Sequence, residues 1–375
     1  MMATTLRLGQ LGAGFIGQMH SLAFGEVHRL RREPVVKAEL VALTDRDRGL
    51  SETVAARYGW AVIAESWQDI VARPDIDLFL NSGPNNLHAE PCIAAAKAGK
   101  HVFVEKPLAR TADEAHMLWK GVASSGVKHM CAFMHRFIPA LRLARTMIHD
   151  GELGEIRHYR STFLLNMTDP AGPPSWRYNT ELAGGGAVGD LGSHHIDLAR
   201  YLVGDVARVR AMTRRWTTDP SGRTKTINDD WFGAVAEMAN GATAVFEACR
   251  IDIPHALSGR IEVDGTKGSI HFEVERLNEL TLRWPGAGPR TIMAVAPTHP
   301  FADYLLPVGI QGAHSIGWSD CFSYQAHHMM YAIATNTEIE PHGASLRDGY
   351  RTAEIVDTII RAGETGATEE VRYRD

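Results

Sequence analysis

The chain has 375 residues, too many for one ordinary hydrophobic core, so length alone favours two domains. It is 45% hydrophobic and 22% charged, the balance of a folded globular protein, which excludes a disordered chain. A net charge of −5 argues against a nucleic-acid surface and against an anionic-membrane anchor, so neither partner is expected. No apolar run reaches the roughly 18 residues of a membrane span. Residues 1–7 lead straight into a strand pattern without a signal-peptide hydrophobic stretch. Cys92, Cys131, Cys249 and Cys321 lie far apart with no Cys-x-x-Cys pair, so neither a disulfide framework nor a zinc knuckle is indicated. A soluble protein of the reducing cytoplasm is expected, and the chain contains no internal repeat.

Residues 6–11 form an apolar strand that runs into Gly12-Ala13-Gly14-Phe15-Ile16-Gly17, followed by a helical stretch to about Arg32. The basic run Arg29, Arg31 and Arg32 reads as a solvated helix end. Residues 38–44 form a second buried strand closed by Asp45. Helices at 50–58, 67–72, 91–98 and 112–124 then alternate with strands at 61–63, 78–80, 101–104 and 129–132. Short apolar strands alternating with helices predict a parallel sheet with right-handed crossovers, and that half ends near residue 133.

The second half differs. β-rich stretches at 156–165, 206–217, 231–238, 242–251, 259–274 and 279–284 follow one another with turns such as Asn240-Gly241 and Asp264-Gly265, which predicts a mostly antiparallel sheet. Helices are expected at 139–150, 187–203, 320–335 and 346–362, and a long Pro- and Gly-rich loop at 285–317. The fold class is therefore α/β, in two parts. A Rossmann dinucleotide-binding domain (1–133) is followed by a substrate-binding and oligomerisation α+β domain (134–375) with an open, mostly antiparallel sheet. Apolar positions of that sheet, among them Val235, Val245, Phe246 and Ile261, suggest a face buried in a homodimer or homotetramer.

Gly12-x-Gly14-x-x-Gly17 stands where a dinucleotide needs it, after the first strand and at a helix start. Gly12 permits the tight turn, Gly14 lets the backbone approach the pyrophosphate, and Gly17 allows close helix–strand packing. The helix N-terminus offers its positive dipole end to the phosphates. Asp45 can accept hydrogen bonds from both adenosine ribose hydroxyls and would repel a 2′-phosphate, which favours NAD. Arg46 could pair with that phosphate and keeps NADP open. The separation of Gly17 from Asp45 exceeds the usual ~20 residues, through a polar insertion around residues 28–34.

Asp190 and His194 are four apart on one expected helix and so project from one face, while Leu191, Leu198 and Leu202 dock it. Oxidising a carbinol needs a base at the hydroxyl, and an imidazole titrating near neutrality suits that transfer. The preceding Gly184-Gly185-Gly186 allow close approach by a ligand and a sharp entry into the helix. A metal reading of Asp190, His194 and His195 is set aside, because adjacent histidines lie about 100° apart on a helix and do not converge on one ion. No metal is expected. Lys106 could hydrogen-bond the same hydroxyl oxygen. His327-His328 reads as a helix surface or interface feature. Trp318, Asp320 and Gln325 could reach the pocket or serve packing.

Further motifs point to a family. Glu105-Lys106-Pro107 follows the strand at 101–104, Pro84-Asn85-x-x-His88 follows that at 78–80, and Gly184-Gly185-Gly186-x-x-x-Asp190-x-x-x-His194 opens the helix. Over essentially its whole length the chain resembles the glucose–fructose oxidoreductase/inositol dehydrogenase (Gfo/Idh/MocA) family, and within it the levoglucosan and scyllo-inositol dehydrogenase group. Supporting details are His129-Met130-x-Ala132-Phe133, Pro174-Ser175-Trp176-Arg177 and Asp197-x-x-Arg200-Tyr201-Leu202.

The resemblance implies an NAD(P)-dependent dehydrogenase that oxidises a secondary hydroxyl of a sugar, anhydrosugar or inositol. Lys106 is then the catalytic lysine, Asp190 the substrate-orienting carboxylate and His194 the proton-transferring imidazole. Expected cofactor contacts are Gly12, Gly14, Phe15, Ile16, Asp45, Arg46, Ser82, Pro84, Asn85, His88, Glu105, Lys106, Trp176 and Arg177. Expected substrate contacts are Lys106, His135, Arg177, Asp190 and His194. Two departures mark the chain: Gly83 stands where the family often has Thr, and Met134-His135-Arg136 where it often has Asn-Tyr-Arg, so the pocket floor is expected to differ. An NAD-dependent glycosidase using transient oxidation stays open as an alternative. A non-catalytic dinucleotide-binding sugar sensor is the other, and it would be expected to lose Lys106 or His194, both of which are present.

Overall fold

Buried aliphatic runs in the first third of the chain pair into one parallel sheet. Its strands are β1 (Thr4–Leu11), β2 (Val36–Thr44), β3 (Val62–Ile63), β4 (Leu78–Asn81), β5 (His101–Val104) and β6 (His129–Cys131), in the order β3-β2-β1-β4-β5-β6. All five pairings are parallel. The strand order reverses between β1 and β4, the point where open α/β sheets bind ligands beyond the strand C-termini. Crossovers are supplied by α1 (Phe15–Gly25), α2 (Arg48–Tyr58), α3 (Trp67–Ala72), α4 (Ala89–Lys97) and α5 (Ala112–Ala123). The structure is a computed structural model that describes residues 3–29, 35–167, 175–218, 227–294 and 315–375. α1 ends at Gly25, and a 3-10 turn over Val27–Arg29 replaces the end of the longer expected helix. The rest of the basic run and of the polar insertion, including Arg31, Arg32 and Pro34, lies outside the described residues.

The second sheet has nine strands: β7 (Ile156–Leu165), β8 (Val206–Arg214), β9 (Trp231–Met238), β10 (Thr243–Cys249), β11 (Leu257–Gly265), β12 (Ser269–Glu273), β13 (Glu279–Arg283), β14 (Arg290–Met293) and β15 (Thr368–Glu370). Their order is β14-β13-β12-β11-β7-β10-β9-β8-β15, antiparallel throughout except for β7 with β10. The expected single stretch 259–274 is a hairpin, closed where Gly265 N–H donates to Gly268 O. β14 falls within the expected 285–317 loop, of which 295–314 lie outside the described residues. Helix α6 (Pro139–His149) precedes β7, α7 (Thr180–Ala183) and α8 (Ser193–Leu202) lie between β7 and β8, and α9 (Trp318–Thr335) and α10 (Leu346–Thr365) lie between β14 and β15.

Register corrects the expected apolar face. Across the sheet Val235 pairs with Val245, Val245 with Arg160, Arg160 with Glu262 and Glu262 with His271. This outward row mixes aliphatic and charged side chains, with ion pairs such as Arg160–Glu262. Phe246 and Ile261, each 1% exposed, sit on the opposite, core-facing side. The four residues do not share a face because neighbours along a strand alternate sides.

The chain divides into two compact units, but not at one cut near residue 133. The first holds the described residues of 1–109, 113–137 and 301–350; the second holds those of 110–112, 138–300 and 351–375. Residues 315–350 join the first unit because α9 packs on α1: Trp318 stacks on Phe15 at 6.0 Å, and Phe322 meets the edge of His20 at 5.5 Å. No helix of the described residues is long and apolar enough to cross a membrane. All four cysteines are free.

Candidate active site

In the first unit the glycine-rich turn has the shape a dinucleotide requires. Gly12 sits at φ +99°, and a Cβ there would fall 2.6 Å from the Ser82 carbonyl oxygen. A Cβ on Gly17 would fall 2.1 Å from Gly12 O, so α1 starts hard against the turn. Gly14 is the opposite case, with nothing within 4 Å of a built Cβ. It caps α1 without any side-chain cap, so the first amides of the helix open onto free space. Space and uncapped amides at a helix N-terminus are what a pyrophosphate needs, and the turn fits NAD. Phe15 is exposed and Ile16 half-buried on that first turn. Buried Gln10, which sequence reading passed over, donates to Gly12 O at 2.8 Å and Gly17 O at 3.0 Å and fastens both ends of the motif.

Asp45 follows β2 as expected, and its carboxylate already has partners. One oxygen accepts from Ala13 N–H at 2.7 Å and the other from Asp47 N–H at 3.0 Å. Arg46 beside it is exposed.

The loops after β4 and β5 are bound together by His88. Its Nε2 lies 3.0 Å from Gly83 O, and its Nδ1 lies 3.1 Å from Pro107 O and 3.2 Å from Leu108 O. Burial pushes this imidazole below its ordinary value, against the pull of the carbonyls. His88 therefore ties the Ser82-Gly83-Pro84-Asn85 segment to Lys106-Pro107, whose peptide is cis. Asn81, another residue sequence reading missed, accepts from Gly83 N–H and donates to Leu87 O, shaping the same segment. The only sequence signal for Gln10 and Asn81 is an amide in an otherwise apolar buried strand. Glu105 is buried and Lys106 half-buried. His135 sits close enough to feel the Lys106 charge. Burial first, and that charge second, push its imidazole down to about 3. His327 and His328 are buried, not surface residues, and His328 Nε2 lies 2.8 Å from Ile339 O. Asp320 accepts from Gly317 N–H at the start of α9, and Gln325 is fully buried.

In the second unit the expected helix 187–203 is two pieces. Val188–Gly192 form a π turn, and α8 continues from Ser193. Asp190 thus belongs to a wider turn than His194, and simple α-helical spacing does not relate them. Asp190 Oδ2 lies 3.6 Å from Arg177 Nε, and the Arg177 guanidinium lies 4.7 Å over the Trp176 ring. These three expected site residues come together. His195 stacks flat on Phe163 at 4.8 Å while His194 meets the same ring edge-on at 6.1 Å. Leu191, Leu198 and Leu202 are buried and dock the helix as expected. Gly184 and Gly186 of the glycine run lie hard against the chain's own backbone. A Cβ on Gly184 (φ +75°) would fall 2.2 Å from Arg110 O, and one on Gly186 would fall 1.9 Å from Asp229 O. Pro174, quoted beside Trp176, lies outside the described residues.

Residues 6–133 match the profile described as "Oxidoreductase family, NAD-binding Rossmann fold", and residues 141–271 the "GFO/IDH/MocA C-terminal domain". The sequence is 34% identical to levoglucosan dehydrogenase of Pseudarthrobacter phenanthrenivorans, over 95% of this chain and 96% of that protein. It is 27% identical to inositol 2-dehydrogenase of Rhizobium meliloti, over 96% and 97%. The solved structure of levoglucosan dehydrogenase in complex with NADH and L-sorbose matches with a TM-score of 0.93 at 34% identity, covering 100% of both chains.

Proposed function

Because the chain belongs to the Gfo/Idh/MocA oxidoreductase family, we propose that it oxidises a secondary hydroxyl of a sugar, anhydrosugar or inositol with NAD. The oxidoreductase activity and the NAD-binding Rossmann domain follow from family membership; the substrate class and the residue roles are the proposal. The nicotinamide, when bound, takes up the hydride. His194 receives the hydroxyl proton, Asp190 orients a hydroxyl while Arg177 holds its carboxylate, and Lys106 donates to a substrate oxygen. The observation that carries this reading is the gathering of Arg177, Asp190 and Trp176 within the second unit.

A screen of monosaccharides, anhydrosugars and inositols with NAD⁺ and NADP⁺, followed by absorbance of the reduced cofactor, tests it. Turnover confined to non-carbohydrate alcohols, or absent with all of these, would overturn it. Assembly as a homodimer or homotetramer is part of the reading and rests on the resemblance, since the outward row of the sheet is charged as well as apolar. Light scattering returning the mass of one chain at all concentrations would remove that part.

A further inference from the structure

The strand that follows residues 219–226 is entered by three polar residues, Asn228-Asp229-Asp230, none of which carries a sequence signal beyond turn chemistry. Asn228 and Asp230 are buried and Asp229 is half-buried, and between them they hold both Arg177 and the turn that bears Asp190. The Asp229 carboxylate accepts from Gly186 N–H at 2.7 Å through one oxygen and from Val188 N–H at 2.8 Å through the other. Its carbonyl accepts from the intervening Ala187 N–H at 2.9 Å. Three successive amides therefore end on one residue, and Gly186 O in turn accepts from Asp190 N–H at 2.8 Å.

The flanking residues hold the other partner of Asp190. Asn228 Nδ2 donates to Arg177 O at 3.0 Å and to Gly184 O at 2.9 Å. Asp230 pairs with Arg250, both essentially fully buried, and Arg250 also donates to Arg177 O and lies over the Tyr178 ring. Arg177 and the 184–190 turn are thus suspended from the same three-residue segment.

Resting on the reading that Asp190 and His194 act on substrate, we propose that Asp229 is the positioning residue that sets where they point. It touches neither side chain. It acts by fixing the backbone from which the π turn and α8 depart, which is why no cap residue is needed on the helix itself. A carboxylate with both oxygens committed to amides is a rigid brace, and loss of one acceptor lets the turn rotate. A misplacement of about 1 Å can lower a chemical rate by about a hundredfold.

The test uses the full chain and its best sugar. Asp229→Asn keeps the shape and turns an N–H pair toward one of the two amides; Asp229→Ser keeps a single acceptor. Expected is a kcat roughly tenfold to a hundredfold lower, NADH affinity within twofold of wild type by fluorescence titration, and unchanged circular dichroism. The deciding arm is the double variant Asp229→Asn/His194→Ala. If Asp229 acts through the turn, its loss costs clearly less in the His194→Ala background than in wild type; a diffuse structural role would lower both backgrounds equally. Wild-type kcat in both single variants, equal losses in both backgrounds, or failure of both variants to fold would each overturn the proposal. His194→Ala with near-normal turnover would instead sink the functional reading on which it rests.

Discussion

His20 Nε2 lies 2.7 Å from Glu105 Oε1, a buried pair that joins the helix behind the glycine turn to the strand end bearing Lys106. The other Glu105 oxygen accepts from Lys106 N–H at 3.0 Å. His20 is walled by Phe24, Phe103 and Phe322 and is 1% exposed, so little water can replace a lost partner on the imidazole. Glu105→Ala leaves a buried imidazole without its acceptor and is expected to lower stability by about 1–3 kcal/mol. Urea unfolding checks this. Glu105→Gln, which can still accept from His20 and from Lys106 N–H in turn, should lose less.

Lys106→Ala and His194→Ala are each expected to lower kcat by roughly two to four orders of magnitude, the range for removing an acid–base group. NAD affinity should change little in His194→Ala, because the glycine turn and Asp45 belong to the other unit. Initial rates with saturating NAD⁺, combined with fluorescence titration of NADH, separate the two effects. Normal turnover in His194→Ala would reassign the base.

Asp45 is expected to favour NAD over NADP, and Asp45→Ser should move the preference toward NADP, with Arg46 freed to meet the 2′-phosphate. The same carboxylate holds Ala13 N–H in the glycine turn. The change is therefore expected to raise the NADP/NAD ratio of kcat/KM while lowering the NAD value by about tenfold to a hundredfold, the loss of one charge-assisted hydrogen bond. A wild-type enzyme more efficient with NADP⁺ would contradict this.

His135 gives a pH dependence with a definite sign. Its imidazole is pushed down to about 3 in the folded protein, while an unfolded histidine titrates near about 6.5. Between those values the unfolded chain binds the proton and the folded one does not. The stability this group confers is complete above the unfolded value and is lost as pH falls toward the folded one. His135→Gln should therefore lose less stability than wild type between about pH 7 and about pH 5, by thermal melts at both pH values. Equal losses would mean that His135 is not held neutral.

Much of the Rossmann half was legible because short buried strands, a glycine turn and a terminal acid occur in an order that few other folds share. β1, β2 and β5 and the positions of Gly12, Gly14, Gly17 and Asp45 follow from local pattern alone. The association of α9 with α1 was not legible, because some 300 residues separate Phe15 from Trp318 and no local rule spans that distance. Val245 and Phe246 were assigned to one face because both are apolar, although strand alternation puts them on opposite sides. The π turn at Val188–Gly192 has no sequence signature, so the relation of Asp190 to His194 was mistaken for ordinary helical spacing. Asn228, Asp229 and Asp230 read as a polar turn, and only their hydrogen bonds in the fold show that they bear on Arg177 and the 184–190 segment.

The glycine run also bears on how such an enzyme can diversify. Any side chain at 184 or 186 would strike the backbone of Arg110 or Asp229, so substitutions there are closed to drift. Trp176 and Arg177 are held differently: both are half-buried on a 3-10 turn, and the carbonyl of Arg177 is anchored. Exchanging the Trp176 side chain would leave the backbone that carries Asp190 in place, whereas the Arg177 side chain also pairs with the Asp190 carboxylate. New substrate ranges would then arise by replacing side chains around an unaltered turn, with residue 176 as a position where descendants of this chain differ first.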